Sequence, residues 1–513
     1  MLLRRWSHWS RLSRLAQERR PAVIDARGAH GYDALELGSR RVAAGLLAGE
    51  RGLASRRVAM LVTPGAAWVE AFFGILRAGG CAVVLSPMHP EAETRYFCED
   101  AEVDTLVASP DLAHRLDGLA RTRRLLTTDQ LARHAHELDE PLVAASSAAL
   151  QLYTSGTTGK PKGAVLTHAN LAVQQEAIAR AWGHSSSDVL VHALPLHHLH
   201  GLGIALLNLL GAGGCARMLP AFDAVAIWEA LPEATLFMGV PTMYAKLFAA
   251  FDAAGEPTRA RWAAGARALR LATSGSAALP VTLGERWRAI TGAYPLERFG
   301  MTEIGVGMSN PLGGPRKPGM VGLPVEGVET RIVGEHGEDA ASGELWVRGP
   351  NVIHEYWKRE EATRAAFAED GGSAPQDAGR STPGMRWFKT GDTVTRDEDG
   401  WFKILGRTSV DILKSGGYKL SALEIEEVLR EHASVGEVAV VGVPDETWGE
   451  RVVACVVPRD GHACDGEALR DFAKQRLASY KVPKEVAVYE SLPRNAIGKV
   501  IKPELVKKLR GVV

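Results

Sequence analysis

LQLYTSGTTGKPKGAVLTH, residues 150–168, carries the strongest structural signal in the chain. An apolar run typical of a β-strand ends at Tyr153, and a second strand-like run begins at Ala164. Apart from Pro161, the ten residues between them are all Gly, Ser, Thr or Lys. Hydroxyl and glycine N–H groups donate hydrogen bonds and lysine adds positive charge, which together suit a polyphosphate. The segment therefore predicts a loop between two strands that binds a triphosphate.

Two other interpretations of this loop are weaker. A Walker A loop has the pattern G-x-x-x-x-G-K-[ST], but its first glycine would fall on Thr154, and Pro161 occupies its Ser/Thr position. A passive Ser/Gly turn between strands would not require hydroxyls and two lysines interleaved with glycines. Phosphate binding by a different type of loop is the prediction.

The overall composition is that of a globular protein. The chain has 513 residues, of which 46% are hydrophobic, with 60 Lys and Arg against 60 Asp and Glu. A disordered chain would have fewer apolar residues and a larger net charge. At about 150 residues a domain, the length allows about three domains. The balanced charge gives no electrostatic reason to expect nucleic-acid binding.

Cysteine usage and hydropathy exclude further classes. The five cysteines are an odd number, lie far apart and form no C-x-x-C pair, so neither a disulfide framework nor a zinc site is predicted. The most apolar segment, residues 201–216, is shorter than the ~20 residues that cross a bilayer and contains five glycines. We expect it to form a buried helix or a strand and turn, and we expect no membrane span.

The predicted secondary structure changes along the chain. Up to about residue 350, strand-like and helix-like segments alternate, which predicts an α/β architecture with largely parallel sheets. From residue 321, short alternating segments separated by Gly, Asp and Pro predict antiparallel β structure. Residues 370–384 are rich in Gly, Ser and Pro and are expected to form an exposed, mobile loop. After Gly406, a pattern of helices at 422–432 and 466–477 with strands between them predicts a separate domain of normal size.

The first twenty residues contain six arginines and one acidic residue. This pattern is typical of a mitochondrial transit peptide, but an exposed amphipathic first helix has the same composition. The cysteine usage fits a reducing compartment. We therefore expect a cytoplasmic protein, with the mitochondrial matrix as the alternative.

Five further segments carry residues suited to chemistry. They are LPLHHLHG (194–201), TSGSAALP (273–280), ERFGMTE (297–303), KTGDT (389–393) with GWFKILGR (400–407), and PRNAIGKVIK (493–502). Together with TSGTTGKPKG, and in this order, they resemble the adenylate-forming superfamily, which includes acyl-CoA synthetases, peptide-synthetase adenylation domains and luciferases. The resemblance covers nearly the whole chain. It implies an α/β fold in which a large N-terminal portion of stacked α/β sheets plus a β-rich subdomain (1–406) is joined to a small α+β lid domain (407–513).

Several of these segments also have simpler local interpretations. The histidines of LPLHHLHG could be metal ligands, although adjacent histidines rarely reach one ion and no thiol or carboxylate joins them. TSGSAALP could be a plain turn of small residues. Glu303 could be an ordinary residue at a helix N-terminus, and Asp392 could cap a turn. The basic residues at 493–502 could form a solvated surface.

The resemblance implies a complete nucleotide site. A divalent Mg²⁺ that bridges phosphates needs hard oxygen ligands, which a carboxylate and a hydroxyl supply. Small residues beside adenine allow a close approach of the backbone. The implied phosphate ligands are Thr154, Ser155, Gly156, Thr157, Thr158, Gly159, Lys160 and Lys162. The implied adenine contacts are Gly275, Ser276, Ala277, Ala278, Phe299, Gly300 and Met301. Thr302 would contact the α-phosphate, and Glu303 and Thr158 would bind Mg²⁺. Asp392 would bind the ribose hydroxyls, and Arg407 would contact the ribose or a phosphate.

The resemblance also implies a reaction in two halves. Lys499 would lie against the substrate carboxylate and the α-phosphate, where a cation lowers the repulsion between two anions. His198 would gate the acyl and CoA channels, and His200 would line the acyl pocket. Residues after Arg407 would form a hinge, although Ser409 stands where the family usually has Asp or Lys. After rotation of the lid, the SGGYK loop would shape the thioester-forming site through Ser415, Gly416, Gly417 and Tyr418.

The identity of the acid depends chiefly on Arg298. If Phe299 faces the nucleotide, Arg298 can face the acyl pocket and bind a second carboxylate with its paired N–H donors. The alternative is an ion pair with Glu297. LERFGMTE, LPLHHLHG and GRTSVDILKSGGYKLSALEIEEVL together most resemble malonyl-CoA synthetases.

This resemblance predicts that malonate, or methylmalonate, is activated with MgATP and transferred to CoA. A fatty or aryl acid ligase is the first alternative, and a nucleotide-binding member without turnover is the second. The expected partners are a small carboxylic acid, MgATP and CoA, without nucleic acid. The expected assembly is a monomer or small homo-oligomer.

Overall fold

The computed structural model describes residues 15–16, 20–154, 160–368, 386–494 and 500–511. Three predicted features lie wholly or partly outside these ranges. They are the Arg-rich N-terminus, the loop at 370–384, and the site residues Ser155, Gly156, Thr157, Thr158, Gly159 and Lys499. The α/β fold predicted from the sequence is confirmed in the described residues.

A six-stranded sheet presents the two strands that flank the phosphate loop. Its neighbouring strands pair in parallel except for the last two, which form an antiparallel pair. Thr154 and Lys162 lie opposite each other in that last pair, so the two ends of the phosphate motif are adjacent. In spatial order the strands are Arg124–Thr127, Thr105–Ala108, Arg57–Leu61, Cys81–Val84, Ala148–Thr154 and Lys162–Thr167.

A nine-stranded sheet carries the acyl and adenine motifs. Its central strands are parallel, and antiparallel pairs lie at both edges. Together with the six-stranded sheet, this confirms the largely parallel arrangement predicted from the sequence. In spatial order the strands are Leu323–Pro324, Gly305–Ser309, Leu296–Met301, Leu271–Ser274, Leu236–Gly239, Val189–His192, Cys215–Met218, Pro21–Asp25 and Gly28–Gly31.

A third sheet follows, and all its pairs are antiparallel, as the short alternating segments predict. Its long central strand, Trp387–Arg396, pairs with the strand Phe402–Arg407 and so brings KTGDT beside GWFKILGR. The other strands are Glu329–Val333, Ser342–Arg348 and Phe367–Ala368.

Helices cover these sheets because their apolar faces are buried against them. The helix His168–Ala181 begins with a capping box, in which the Thr167 hydroxyl and the Asn170 side chain each satisfy a backbone N–H group. Trp228 stacks between Trp262 and Trp287, with ring centroids 5.8 Å apart in both pairs.

The other helices are Tyr32–Leu47, Ala66–Arg77, Glu91–Asp100, Asp117–Ala120, Thr128–Leu131, Asn208–Gly211, Ala224–Ala230, Pro241–Ala253, Glu256–Arg267, Val281–Thr291 and Glu360–Ala366, with the 3₁₀ turns Ala113–Leu116 and Leu231–Glu233 and a π-helix His200–Leu207. No helix within the described ranges is both long and apolar enough to cross a membrane.

The C-terminal residues build a fourth sheet with its own buried core. A long antiparallel hairpin, Val435–Asp445 with Gly449–Pro458, forms its centre. The outer strands are Ile412–Ser415, Tyr418–Ser421 and Glu485–Val488, and the helices are Ala422–Arg430, Gly466–Lys474 and Lys502–Leu509, with a 3₁₀ turn Ser479–Lys481. A domain boundary at 406/407 stays a prediction.

Candidate active site

The phosphate motif and the ERFGMTE motif meet in space. Thr154 is the last residue of its strand, and its hydroxyl donates to Oε1 of Glu303 at 3.4 Å. Glu303 follows the strand Leu296–Met301 in a turn, where its carbonyl accepts from the backbone N–H of Ile353 at 2.9 Å. Two segments that are distant in sequence thus form one cleft.

The Glu303 carboxylate is buried, with 4% of its surface exposed. Tyr356 donates its phenol O–H to the same oxygen, Oε1, at 2.8 Å. Burial, followed by the Glu303 charge, raises the pKa of Tyr356, so the phenol stays protonated and remains a donor. No sequence motif indicated Tyr356, because it contacts Glu303 from a segment 53 residues further along the chain.

The described residues fit a metal ion bound jointly with phosphates. No group of three or more His, Cys, Asp or Glu suited to a metal occurs within the described ranges. Mg²⁺ at a nucleotide, however, is held by one or two protein oxygens together with the phosphates. Oε2 of Glu303 makes no hydrogen bond within the described part of the chain, which leaves a hard oxygen donor at this position.

Both lysines of the phosphate motif lie over aromatic rings. The Lys162 ammonium is 5.4 Å from the ring centre of Tyr356, and the Lys160 ammonium is 5.3 Å from that of Tyr96. A ring face attracts a cation while leaving its N–H groups able to donate. Tyr96 also donates its hydroxyl to the carbonyl of Pro161 at 2.8 Å, which fixes the end of the loop.

The predicted adenine contacts surround two glycines that tolerate no side chain. A Cβ on Gly300 would come within 2.0 Å of the Gly305 carbonyl, and one on Gly275 would come within 2.4 Å of Nε of Arg298. Ser276 lies in the left-handed region with φ at 67°. The exposed or partly exposed residues here are Ser276, Ala277, Ala278, Phe299, Gly300, Met301 and Thr302.

The predicted ribose residues are also brought together. Asp392 and Arg407 lie opposite each other in adjacent strands, and Arg407 Nε is 3.2 Å from Asp392 Oδ1. Arg407 Nη1 also donates to the carbonyl of Thr390 at 2.6 Å. Asp392 is 5% exposed. It lies within the strand Trp387–Arg396 and not in a turn, so it does not serve as a turn cap.

Arg298, the predicted acyl-pocket residue, lies on the strand Leu296–Met301. It is 4% exposed, and its Nε and Nη2 have no hydrogen-bond partner among the described residues. Burial lowers the pKa of Arg298 to about 10, so the guanidinium remains charged at neutral pH. A buried cation with free N–H donors is suited to an anionic ligand.

The structure does not pair Arg298 with Glu297. Consecutive residues of a strand point to opposite faces, and the Glu297 carboxylate accepts the backbone N–H of Gly319 at 2.8 Å. Burial raises the pKa of Glu297 to about 8, although the Gly319 bond opposes this shift. The ion-pair alternative for Arg298 is therefore not what the described structure contains.

His200 lies beside Arg298, as the acyl-pocket hypothesis requires. It is 6% exposed, and its Nδ1 is 3.1 Å from the Ser276 hydroxyl oxygen. Burial, with the Arg298 charge as a second cause, holds the pKa of His200 well below its usual value. The ring is therefore uncharged at neutral pH, and it is a polar but neutral group near Arg298.

His198 lies in a cluster of neutral rings. Its ring centre is 4.1 Å from that of His197, which is 5.2 Å from that of His89. Burial lowers the pKa of His198 and of His89 to about 4 in each case. His89 precedes the helix Glu91–Asp100 and belonged to no recognised motif, so the sequence did not indicate it.

The SGGYK loop lies away from this cleft. Gly416 donates its N–H to the carbonyl of Trp448 at 2.9 Å, and Lys419 pairs with Glu335 at 2.9 Å. The ring of Tyr418 stacks on that of Tyr480 with centres 4.3 Å apart. Within the described residues, no polar contact joins this loop to Arg298, His198 or His200.

Comparison with protein families gives two matches. Residues 13–357 match the model of the AMP-binding enzyme family, and residues 424–499 match that of the AMP-binding enzyme C-terminal domain.

Individual proteins extend this similarity to nearly the full chain. The mitochondrial malonate–CoA ligase ACSF3 of Bos taurus is 40% identical, with 96% of this chain and 88% of that protein aligned. The malonate–CoA ligase of Arabidopsis thaliana is 38% identical, with 89% and 78% aligned. The crystal structure of ATP-bound MatB from Rhodopseudomonas palustris superimposes with a TM-score of 0.86 at 33% identity, covering 98% of this chain and 99% of that one.

Proposed function

Because the chain belongs to the AMP-binding enzyme family, we propose that it is an ATP-dependent malonate–CoA ligase. The observation that carries the choice of acid is Arg298, a buried guanidinium with unpartnered N–H donors at the acyl end of the cleft. A monocarboxylate would leave this charge uncompensated, whereas the second carboxylate of malonate would pair with it. The neutral polar ring of His200 beside it would complete the pocket. Methylmalonate presents the same two carboxylates.

The first half-reaction activates the acid. A free carboxylate is a poor acyl donor because its leaving group would be oxide. A carboxylate oxygen of malonate attacks the α-phosphorus of ATP, the bond from that phosphorus to the bridging oxygen breaks, and pyrophosphate leaves. The product is malonyl-adenylate.

The residues of the cleft would hold the nucleotide during this step. Thr154, Lys160 and Lys162 would bind phosphate oxygens, and the Asp392 carboxylate would accept hydrogen bonds from the ribose hydroxyls. Glu303 would hold Mg²⁺, which when bound neutralises charge on the phosphates. The other predicted contacts of the phosphate loop, Ser155, Gly156, Thr157, Thr158 and Gly159, lie outside the described residues.

The second half-reaction transfers the acyl group. The sulfur of CoA attacks the malonyl carbonyl carbon, the bond to the adenylate oxygen breaks, the thiol proton is lost, and AMP leaves. We propose that the C-terminal unit rotates about the hinge after Arg407 between the two steps, so that Ser415, Gly416, Gly417 and Tyr418 reach the cleft. The lysines Lys414, Lys419 and Lys484 near this loop would attract the phosphates of CoA.

A substrate comparison tests the proposed function. AMP and pyrophosphate release, with and without CoA, would be measured for malonate, methylmalonate, acetate, octanoate and an aromatic acid. We expect malonate to give the highest kcat/KM, because only a short dicarboxylate satisfies Arg298. Octanoate or the aromatic acid clearly exceeding malonate would contradict the proposal.

Lys499→Ala separates the two half-reactions. We expect malonyl-adenylate formation to fall by about a hundredfold to a thousandfold, because the cation between two reacting anions is lost. Thioester formation from supplied malonyl-adenylate should be unchanged. Lys507→Ala, in the helix Lys502–Leu509, is the matched control, since Lys507 is exposed. Full adenylation by the Lys499 variant would show that the catalytic lysine is misassigned.

The location in the cell is a separate proposal. We propose the cytoplasm, with the mitochondrial matrix as the alternative that the Arg-rich first twenty residues favour. A fluorescent protein carrying residues 1–20 at its N-terminus, expressed in a eukaryotic cell, distinguishes these outcomes. Import into mitochondria would favour the alternative.

A further inference from the structure

His200, which borders Arg298, begins an unusual helix. Residues His200–Leu207 form a π-helix, whose turns are wider than those of an α-helix. Such segments are rare and occur frequently at functional sites. Two glycines permit close packing here: a Cβ on Gly201 would lie 2.4 Å from the Pro195 carbonyl, and one on Gly203 would lie 2.6 Å from Leu199 Cδ1. The conformation is therefore fixed by its surroundings.

Two side chains from other elements hold the ends of this π-helix. His192 Nε2 is 2.9 Å from the carbonyl oxygen of Gly201, the residue that follows His200. At the far end, Gln175 Nε2 donates to the carbonyl of Leu207 at 3.0 Å. His192 ends the strand Val189–His192, whereas Gln175 lies in the helix His168–Ala181. The π-helix is thus braced against both a sheet and a helix.

The contact from His192 is a well-defined hydrogen bond. A carbonyl oxygen can only accept, so Nε2 of His192 carries the proton and donates it. The side chain is 3% exposed, and burial lowers the pKa of His192, so the ring is neutral at neutral pH. This donor comes from outside the π-helix, so its loss would remove one contact that holds the first turn in place.

The position of Gly201 sets that of His200. His200 Nδ1 lies 3.1 Å from the hydroxyl oxygen of Ser276, and the Arg298 charge acts on its ring. A shift of the first turn of the π-helix would move this ring away from Ser276 and enlarge the space in front of Arg298. A larger space admits a longer acyl chain and no longer fits a short dicarboxylate.

We propose that His192 is a specificity-determining positioning residue, which donates to the Gly201 carbonyl and thereby holds His200 beside Arg298 so that the pocket selects a short dicarboxylate. The inference rests on the proposed malonate–CoA ligase function. His192 touches neither acid nor nucleotide in this scheme. Its effect reaches the substrate through the first turn of the π-helix.

A pair of variants tests this role. His192→Phe keeps an aromatic ring but removes the donor, whereas His192→Gln places an amide N–H near the position of Nε2. We expect His192→Phe to lower kcat/KM for malonate by about threefold to tenfold, the effect of losing one neutral hydrogen bond. This loss should arise from a higher KM for malonate, with the KM for MgATP unchanged and octanoate use retained or increased. His192→Gln should recover most of the malonate activity.

The outcomes separate the failure of this inference from the failure of the proposed function. A wild-type enzyme that prefers octanoate overturns the malonate assignment, on which this inference rests. A wild-type enzyme that prefers malonate, together with a His192→Phe variant of the same preference, overturns only the role of His192. Equal rises in the KM for malonate and for MgATP would show a general structural role and also overturn it. If His192→Phe does not fold, His192→Asn, whose amide is too short to reach Gly201, is compared with His192→Gln in the same way.

Discussion

Two buried cations in the molecule differ in what surrounds them. Arg298, in the cleft, is 4% exposed, and Lys502, in the C-terminal unit, is 8% exposed. Lys502 lies 2.5 Å from Asp411 and 2.7 Å from Glu426. Burial alone would lower the pKa of Lys502, but these two carboxylates outweigh it and raise the pKa. Burial lowers the pKa of Arg298 to about 10, and no carboxylate opposes it.

The difference distinguishes a structural cation from a binding cation. A buried charge is stable when hydrogen-bonded partners compensate for its lost hydration. Lys502 has such partners within the protein, so the fold is complete around it. Arg298 lacks them at Nε and Nη2 among the described residues, so an anionic ligand would supply what the protein does not.

Arg298→Met should have the largest effect on activity. We expect kcat/KM for malonate to fall by about a hundredfold to a thousandfold, the usual effect of removing one member of a buried charge pair. The KM for MgATP should not change, and the unliganded protein should unfold at the same or a higher temperature, because an unpaired buried charge has been removed. Steady-state kinetics and a thermal melt measure both.

A second arginine provides the control for Arg298. Arg407 is paired with Asp392 at 3.2 Å, at the predicted ribose end. Arg407→Met should raise the KM for MgATP and leave the preference for malonate over octanoate intact. Equal malonate turnover by wild type and Arg298→Met would contradict the proposal that Arg298 binds the substrate, and Arg298 would then not differ in role from Lys502.

Lys502→Met should instead act on stability. Removing this ammonium leaves Asp411 and Glu426 without their shared partner, and breaking a buried pair is destabilising by about 3–5 kcal/mol. Lys507→Met, on the exposed side of the same helix, should change stability by less than about 0.5 kcal/mol. Urea unfolding, followed by the total tryptophan fluorescence and by far-UV circular dichroism, compares the two variants. Identical midpoints would mean that Lys502 contributes no structural pairing.

Lys502 also connects the C-terminal helix to the predicted hinge. Asp411, its partner, accepts the backbone N–H of Arg407 through its second oxygen at 3.0 Å. The helix Lys502–Leu509 begins three residues after Lys499 in the sequence. We expect a weakened Lys502 pair also to slow malonyl-adenylate formation, because the proposed catalytic residue Lys499 is three residues from this helix in the sequence.

Local sequence pattern predicted the strands on which the candidate site residues lie. Thr154 and Lys162 flank a Gly-rich hairpin, and Asp392 and Arg407 lie in segments that alternate as strands do. Such features depend on residues close in sequence, so periodicity and turn chemistry indicate them. Their joint occurrence in order identified the family, and the family matches confirmed it.

Contacts between distant elements were not predictable in this way. Tyr356 reaches Glu303 from 53 residues further along the chain, and His89 joins the histidine cluster from a loop with no motif. The π-helix at His200 follows from its supports at His192 and Gln175, since HGLGIALL alone indicates only a buried apolar segment. These contacts depend on the packing of elements, which a single sequence does not encode locally.

Glu297→Gln gives the smallest effect and tests whether Arg298 is unpaired. Burial raises the pKa of Glu297 to about 8, above its ordinary value of 4.5. Stability from this group is therefore complete below pH 4.5 and is lost as pH rises towards 8, at about 1 kcal/mol for each pH unit. The glutamine variant keeps the acceptor for Gly319 but does not titrate, so between pH 6 and pH 7 it should gain about 1 kcal/mol of stability relative to wild type. An ion pair with Arg298 would instead keep the pKa of Glu297 well below 6, and the stability difference between the two proteins would then not change from pH 6 to pH 7.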